Sequence, residues 1–324
     1  MTQAQTEPRP RERFGCFAPG VLLIAGLAVA KWWSAAIGLP IAVAAAAILV
    51  HLLRRESAVT DAYRKRRLER WGSITPPGGQ AWRLLLPAEG FGDLVSAIEP
   101  HVRPAVRLTS RPGEAAALGQ SRIGGEPDLP KALSWPKTGR QSVPFIAQID
   151  LKEIASVLSE SPLPHAGHLW FFSDGSETGI VLHDASDAPR QATPTPEDVP
   201  KTWRFACCPL ALEAYQALPE VSVVEALDAI TSDDEEKLES YTEIQSYISG
   251  ETTMGNVHTL LGWPEAIQDP AELNEPATRL LLQVESDKGA GMMWGDAGRL
   301  YFCIKNEDLR AARFDAVSMK FQCY

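Results

Sequence analysis

The alternation of apolar and polar residues changes character along the chain. Between residues 14 and 53 it is apolar, with Lys31 as the only charge. Residues 35–53 carry no charge at all; nineteen residues make about 28 Å of helix at ~1.5 Å per residue, against a bilayer core of ~30 Å. Residues 14–30 form a shorter apolar run, and Lys31-Trp32-Trp33-Ser34 between the two suits a headgroup interface. The pattern predicts a transmembrane helical hairpin over 14–53, with membrane lipid as its partner. Arg9, Arg11 and Arg13 precede it, and Arg54, Arg55, Arg64, Lys65, Arg66 and Arg67 follow. Cations on both flanks place both ends inside, so the expected location is the inner (plasma) membrane with the rest of the chain facing the cytoplasm. Two rivals keep the same address: a signal-peptidase site at Ala28-Val29-Ala30, and a single span with its N-terminus outside.

Beyond the apolar stretch, charges continue in helical register to Trp71, which predicts a basic helix, lying near anionic headgroups or presenting a solvated face. Pro76-Pro77-Gly78-Gly79 then breaks it. The expected organisation is a basic N-terminus (1–13), the hairpin (14–53), a basic helix and Pro/Gly linker (54–80), and a soluble domain (81–324). Within that domain, short apolar runs at 105–109, 144–149, 168–173, 179–183, 280–285, 300–304 and 318–323 read as strands. One helix is well marked: Ser232-Asp233-Asp234-Glu235 has capping-box spacing, Leu238, Tyr241, Ile244 and Ile248 follow at three and four residues, and Gly250 stops it. Strands and helices do not alternate regularly, so the expected class is α+β, mainly antiparallel sheets with peripheral helices.

Charge sharpens this division. The chain's net charge of −10 is a difference of two parts: residues 1–70 hold 11 basic and 5 acidic side chains, and the remainder holds 31 − 11 = 20 basic and 41 − 5 = 36 acidic, a net of −16. So acidic a body is unsuited to nucleic acid, whose phosphates need clustered cations. Of the five cysteines, Cys207 and Cys208 are adjacent and no C-x-x-C occurs, which points to free thiols in a reducing compartment.

Three landmarks recur in order. Gly125-Glu126-Pro127 matches Gly262-Trp263-Pro264, residues 145–150 match 280–285, and 167–172 match 298–303. The body therefore reads as internally duplicated about a pseudo-two-fold axis, with halves near 120–175 and 258–305. Each half has an apolar strand with Gln followed two residues later by a carboxylate: Gln148 and Asp150, Gln283 and Glu285. Period-two alternation puts each pair on one face. A buried Gln must satisfy its amide, either by tying down neighbouring backbone or by holding a ligand. If the halves pack about the axis, Gln148, Asp150, Gln283 and Glu285 converge in a pocket, with Arg122 as cation, Trp135, Trp263 and Trp294 as flat walls, and Asp296 of Trp294-Gly295-Asp296 at a turn beside it.

At these residues the chain resembles the bacterial YwqG-like family, a domain of unknown function. The carriers are Ser121-Arg122-Ile123-Gly124-Gly125-Glu126-Pro127-Asp128-Leu129-Pro130, Ser134-Trp135-Pro136, residues 144–151, Leu261-Gly262-Trp263-Pro264, residues 281–284, and Met293-Trp294-Gly295-Asp296-Ala297-Gly298-Arg299-Leu300-Tyr301-Phe302. The resemblance spans about residues 104–324. It implies an α+β fold and no particular activity. The apolar N-terminal segment departs from it, since many relatives look like the soluble domain alone.

No P-loop, dinucleotide glycine motif or kinase motif set is present. In residues 119–124 the second glycine falls one residue too late for a nucleophile elbow. His165, His168 and His183 lack neighbours at metal-site spacing; no metal, cofactor or catalytic residue is expected. The reading is a membrane-anchored binding or protein-interaction module for an unknown protein or small polar ligand. Its alternatives are a hydrolase using Asp150, Glu285 and Asp296 as acid and base, and an immunity-type protein masking a basic toxin with its acidic body.

Overall fold

A computed structural model of the chain describes residues 65–73, 80–176, 178–186, 188–250, 256–275 and 277–324. The hairpin expected over 14–53 lies outside the described residues. Among those described, no helix is long and apolar enough to cross a membrane. The chain divides into two compact units, Met1–Thr75 and Pro76–Tyr324. In the first, residues 65–73 are helical, with the Arg67 guanidinium 4.7 Å from the centroid of the Trp71 ring.

The second unit is built on one antiparallel sheet of ten strands. Its strands are β1 (Arg103–Ser110), β2 (Arg122–Ile123), β6 (Phe145–Asp150), β7 (His168–Ser173), β8 (Gly179–Asp184), β10 (Cys208–Ala217), β11 (Val257–Leu261), β12 (Thr278–Glu285), β13 (Arg299–Lys305) and β14 (Ser318–Gln322). They run in the order β14-β13-β12-β11-β1-β10-β2-β6-β7-β8. The short pairs β3 (Asp128–Pro130) with β9 (Arg190–Ala192), and β4 (Lys137–Thr138) with β5 (Gln141–Ser142), stand apart. The sheet curls until its ends meet: a side chain on Gly179 of β8 would collide with Met319 of β14. The Phe171 and Phe302 rings, from β7 and β13, make an edge contact with centroids 5.1 Å apart. No strand pairing joins β8 to β14, so the barrel-like sheet is nearly closed, with a seam.

This corrects the α+β expectation. The unit is mostly β, and what were read as two packed halves are two sides of one sheet. The joint is the β1–β10 pair, in register from Arg103↔Ala217 to Ser110↔Leu210. β10 reads poorly as a strand because Leu210-Ala211-Leu212-Glu213-Ala214 is rich in helix formers. Pairing along its whole length with β1, and at Cys208 and Pro209 with β2, overrides that preference.

Alternation along the strands sends Ile149, Leu169, Phe171, Leu282, Val284, Leu300 and Phe302 into the barrel, which they fill as a packed core. The opposite face is also covered. Leu129, Val143, Phe145, Trp170 and Phe172 cluster on one side of it, and Leu273, Leu280, Tyr301 and Cys303 on the other.

Helices are few: α1 (Trp82–Ala88), α2 (Val95–Ile98), α3 (Leu151–Val157), α4 (Glu225–Thr231), α5 (Glu235–Ser249) and α6 (Asn306–Arg310). In α5 the cap is Asp234, whose carboxylate accepts from Lys237 N, and Gly250 ends it at φ 76°. Tyr241, Ile244 and Ile248 are buried and Leu238 is exposed. Arg107 of β1 holds the far end of α5, donating to the Ser249 and Ile248 carbonyls, where a cation also favours the helix dipole. The described cysteines are free; burial pushes the Cys208 thiol up to about 11 and Cys303 to about 12.

Candidate functional site

Gln148 and Gln283 sit on β6 and β12, with four strands between them. The structure does not bring them together, and each is wholly occupied in place. Gln148 Oε1 accepts from Asp128 N (2.8 Å) and Trp170 Nε1 (2.8 Å), while its Nε2 donates to the Gln120 carbonyl (3.1 Å). Gln283 Oε1 accepts from Glu265 N (2.9 Å), and its Nε2 donates to Glu285 Oε1 (2.7 Å). In both places the Gln lies on the outer face and ties down a segment that crosses it.

The chain reaches each lock by the same route. After β2, Gly124 and Gly125 adopt φ 61° and 72°; at the end of β11, Leu261 and Gly262 adopt 64° and 74°. Two successive left-handed residues turn the chain off the sheet edge and lay Pro127-Asp128 or Pro264-Glu265 over it. At Gly124 a side chain would strike the Ala206 carbonyl. A register shift precedes each Gln, between Phe145 and Ala147 and between Leu280 and Leu282. Such bulges turn a strand's side chains locally.

A guanidinium secures each crossing segment. Arg122 donates to Asp128 Oδ2 (2.7 Å) and to the Glu126 carbonyl. Burial opposes the Asp128 charge, but hydrogen bonds from Arg122, Gly119 N–H and Gln148 hold its carboxyl below the usual range. On the other side, Arg299 donates to the Glu265 carbonyl and to Glu285 Oε2 (2.6 Å each), and Tyr301 also donates to the Glu265 carbonyl (2.7 Å). Glu285 is 8% exposed; burial pushes its carboxyl up, against the pull of Arg299.

The two carboxylates that follow the glutamines, an Asp and a longer Glu, also differ in what they face. Across the strand pair, Glu285 faces Arg299, whereas Asp150 faces His168. Arg299 reaches its carboxylate and seals the space. His168 Nε2 stays 3.9 Å from Asp150 Oδ2, beyond hydrogen-bond length, and is engaged instead by the Gly119 carbonyl at 2.8 Å. The Asp150 Oδ1 atom caps α3 by accepting from Lys152 N (2.8 Å). The result is a cleft of about 290 Å3 whose wall carries Asp150, Lys152, His168, Gly119 and Arg190. Burial pushes the His168 pKa below 6.5, with the Gly119 carbonyl and Asp150 opposing it. Among the described residues, His168 Nδ1 and Arg190 Nε are both buried without a hydrogen-bond partner.

Of the residues singled out in the sequence, only Asp150 lines this cleft. Arg122 and Gln148 form the lock behind it, and Gln283 and Glu285 form the other. Trp135 donates to the Val143 carbonyl and meets Phe172 edge-on. Trp263 is bonded to the His101 carbonyl. Trp294 donates to the Glu285 carbonyl and packs with Trp203 and Phe205. Asp296 is exposed in the β12–β13 turn. His165 is exposed and His183 packs on Phe314, so neither joins His168.

His168, Lys152 and Arg190 were missed as cleft residues. The match of 167–172 to 298–303 already set His168 where the other side has Arg299, and that exchange was the available signal.

A second buried cluster resembles a catalytic triad by composition only. Ser110 Oγ donates to Asp287 Oδ2, and His258 Nε2 lies 3.3 Å from the same oxygen. His258 Nδ1 accepts from Glu285 N, and Asp287 also accepts from Gly289 and Ala290 N–H groups. The serine bonds to the carboxylate rather than the imidazole, and both His258 and Asp287 are fully buried. This cluster braces the β12–β13 loop.

A family model described as "Domain of unknown function (DUF1963)" matches residues 121–323. The chain belongs to this family, and both glutamine–carboxylate pairs, with Lys152, His168 and Arg190 of the cleft wall, fall inside the matched span, while Gly119 lies just before it. That assignment agrees with the YwqG-like resemblance. No curated protein matches the chain.

Proposed function

We propose that this domain is a binding module whose ligand site is the Asp150–His168–Arg190 cleft, and that the ligand is small and polar. The observation that carries this reading is the pair of unpartnered polar atoms, His168 Nδ1 and Arg190 Nε, on residues of one wall. Buried polar groups are ordinarily satisfied; among the described residues these two are not, and a small shift of either side chain would present them to a ligand. Asp150 adds an acceptor and Lys152 a cation, which gives the site poles of both signs. Its volume of about 290 Å3 lies at the small end of ligand sites, which run ~300–1,000 Å3.

The hydrolase reading draws no support from the geometry. Glu285 is locked to Arg299 and Gln283, and the cleft at Asp150 includes neither Glu285 nor Asp296. Attachment to the inner membrane with this module in the cytoplasm rests on the apolar stretch 14–53 and its flanking cations. Protease digestion of right-side-out and inverted vesicles tests that address; cleavage of the body from outside would overturn it.

The binding reading is tested by a thermal-shift screen of small polar metabolites on the full chain, repeated with Arg190→Gln and His168→Arg. The expected result is a stabilising compound whose effect both substitutions abolish. A compound that stabilises all three proteins equally binds elsewhere and would refute this site.

A further inference from the structure

We infer that the ligand of the Asp150–His168–Arg190 cleft is a free α-amino acid, its carboxylate taken by Arg190 and its ammonium by Asp150. The inference rests on the cleft being the ligand site and adds the class of molecule that fits it. Opposite charges share this cleft without meeting. Asp150 and Arg190 both line it, yet no ion pair joins them among the described residues; the base within reach of Asp150 is His168, at 3.9 Å.

Each of the two has capacity to spare. Asp150 Oδ1 accepts from Lys152 N (2.8 Å) at the start of α3. Its Oδ2 accepts no hydrogen bond among the described residues, and the side chain is 20% exposed. Arg190 spends one N–H on the Ser186 carbonyl (3.0 Å), and among the described residues it has no carboxylate partner. Its planar fork is suited to a carboxylate, which it can hold through two oxygens at once.

The charges also exclude. A simple amine drawn to Asp150 meets Arg190 and Lys152, and a dicarboxylate or phosphate ester drawn to those cations meets Asp150. His168 shifts this balance neither way. Its Nε2–H donates to the Gly119 carbonyl, and burial, which holds its pKa below 6.5, leaves it neutral at pH ~7. A molecule with adjacent ammonium and carboxylate groups satisfies both poles together. A peptide does not, because its charged termini stand apart. Leu118, Ala188 and Pro189 complete the wall without adding charge, which suits an uncharged amino-acid side chain. The volume of about 290 Å3 keeps the ligand small.

The test measures, by calorimetry, the binding of L-amino acids with uncharged side chains to the full chain in detergent. For the tightest binder, the 2-oxo acid that lacks its ammonium and the amine that lacks its carboxylate are paired probes. The amino acid should bind at least tenfold more tightly than either, with tenfold equal to about 1.4 kcal/mol. Asp150→Asn keeps a side-chain oxygen to cap α3 and removes the charge. It should weaken the amino acid tenfold or more and leave the 2-oxo acid unchanged or tighter. Arg190→Gln should weaken the amino acid and the 2-oxo acid together and spare the amine. The comparison of probes on the unaltered chain needs no variant to fold.

The inference is overturned if no amino acid binds, if either truncated probe binds as well as the amino acid, or if Asp150→Asn weakens the 2-oxo acid as much as the amino acid. A metabolite that is not zwitterionic, and whose binding Arg190→Gln and His168→Arg abolish, overturns this inference and leaves the cleft reading standing. Absence of any ligand sensitive to those two substitutions overturns both.

Discussion

The two glutamine locks are built alike and end differently. Around Gln283, Glu285 is buried and clasped by Arg299. Around Gln148, Asp150 is left beside an open cleft because its cross-strand neighbour is His168. The lock accounts for how each segment is pinned over the sheet. The exchange of imidazole for guanidinium, with Asp in place of the longer Glu, accounts for the cleft beside Asp150. Position in the sheet therefore sets the scaffold, and the residue opposite the carboxylate decides whether the scaffold is sealed or available.

The largest effect should come from opening the sealed side. Arg299→Met leaves Glu285 and the Glu265 carbonyl buried without their cation, and should cost ~3–5 kcal/mol, read as a lowered urea midpoint. A cost under about 1 kcal/mol would mean that the pair contributes little and that the comparison rests on the wrong contact.

Next come the locks themselves. Gln148→Ala strands the Asp128 and Trp170 N–H donors, and Gln283→Ala strands the Glu265 N–H. At ~1–3 kcal/mol for each unsatisfied buried group, the first should cost more than the second. Faster amide exchange confined to residues 121–130 or to 263–268 would show which segment each lock holds.

The sharpest test converts one side into the other. His168→Arg should reach Asp150, fill the cleft and abolish ligand binding, while changing stability by less than about 1 kcal/mol because Asp150 is partly exposed. Retained binding would separate the cleft from the proposed function.

The smallest effect is the pH dependence. Since burial lowers the folded pKa of His168 below 6.5, the unfolded chain takes up a proton first as pH falls. Stability from this group is therefore complete above pH ~6.5 and is lost as pH drops from there to the folded value. His183 is lowered in the same direction, also by burial, so His168→Gln should flatten only part of the slope. A two-dimensional NMR titration that places His168 above 6.5 would contradict the account.

The strands that carry both locks were legible because their apolar runs are flanked by Gly, Pro and Asp, and the paired Gln and carboxylate positions followed from simple alternation. The architecture was not legible, for a physical reason centred on β10. Its Ala, Leu and Glu residues favour helix locally, and only cross-strand neighbours make it a strand. Without β10 the two sides look like separate halves, and a pocket between them follows naturally. With β10 in place they form one sheet, the glutamines have four strands between them, and the cleft appears beside one lock instead. One of the cleft's two cations, Arg190, comes from β9, which joins no long apolar run and gave no signal of its own.

The seam between β8 and β14 has a consequence for how this protein behaves among copies of itself. A fully hydrogen-bonded barrel has no edges, whereas an open sheet offers two rows of unpaired backbone groups to any passing strand. Here the turn Phe314–Ala316, just before β14, lies against β8. Phe314 and Met319 lie buried in the join, and His183 rests against the Phe314 ring. Side chains rather than ladder hydrogen bonds thus close the join, and they leave less of the β8 edge open to strand addition than a free edge would.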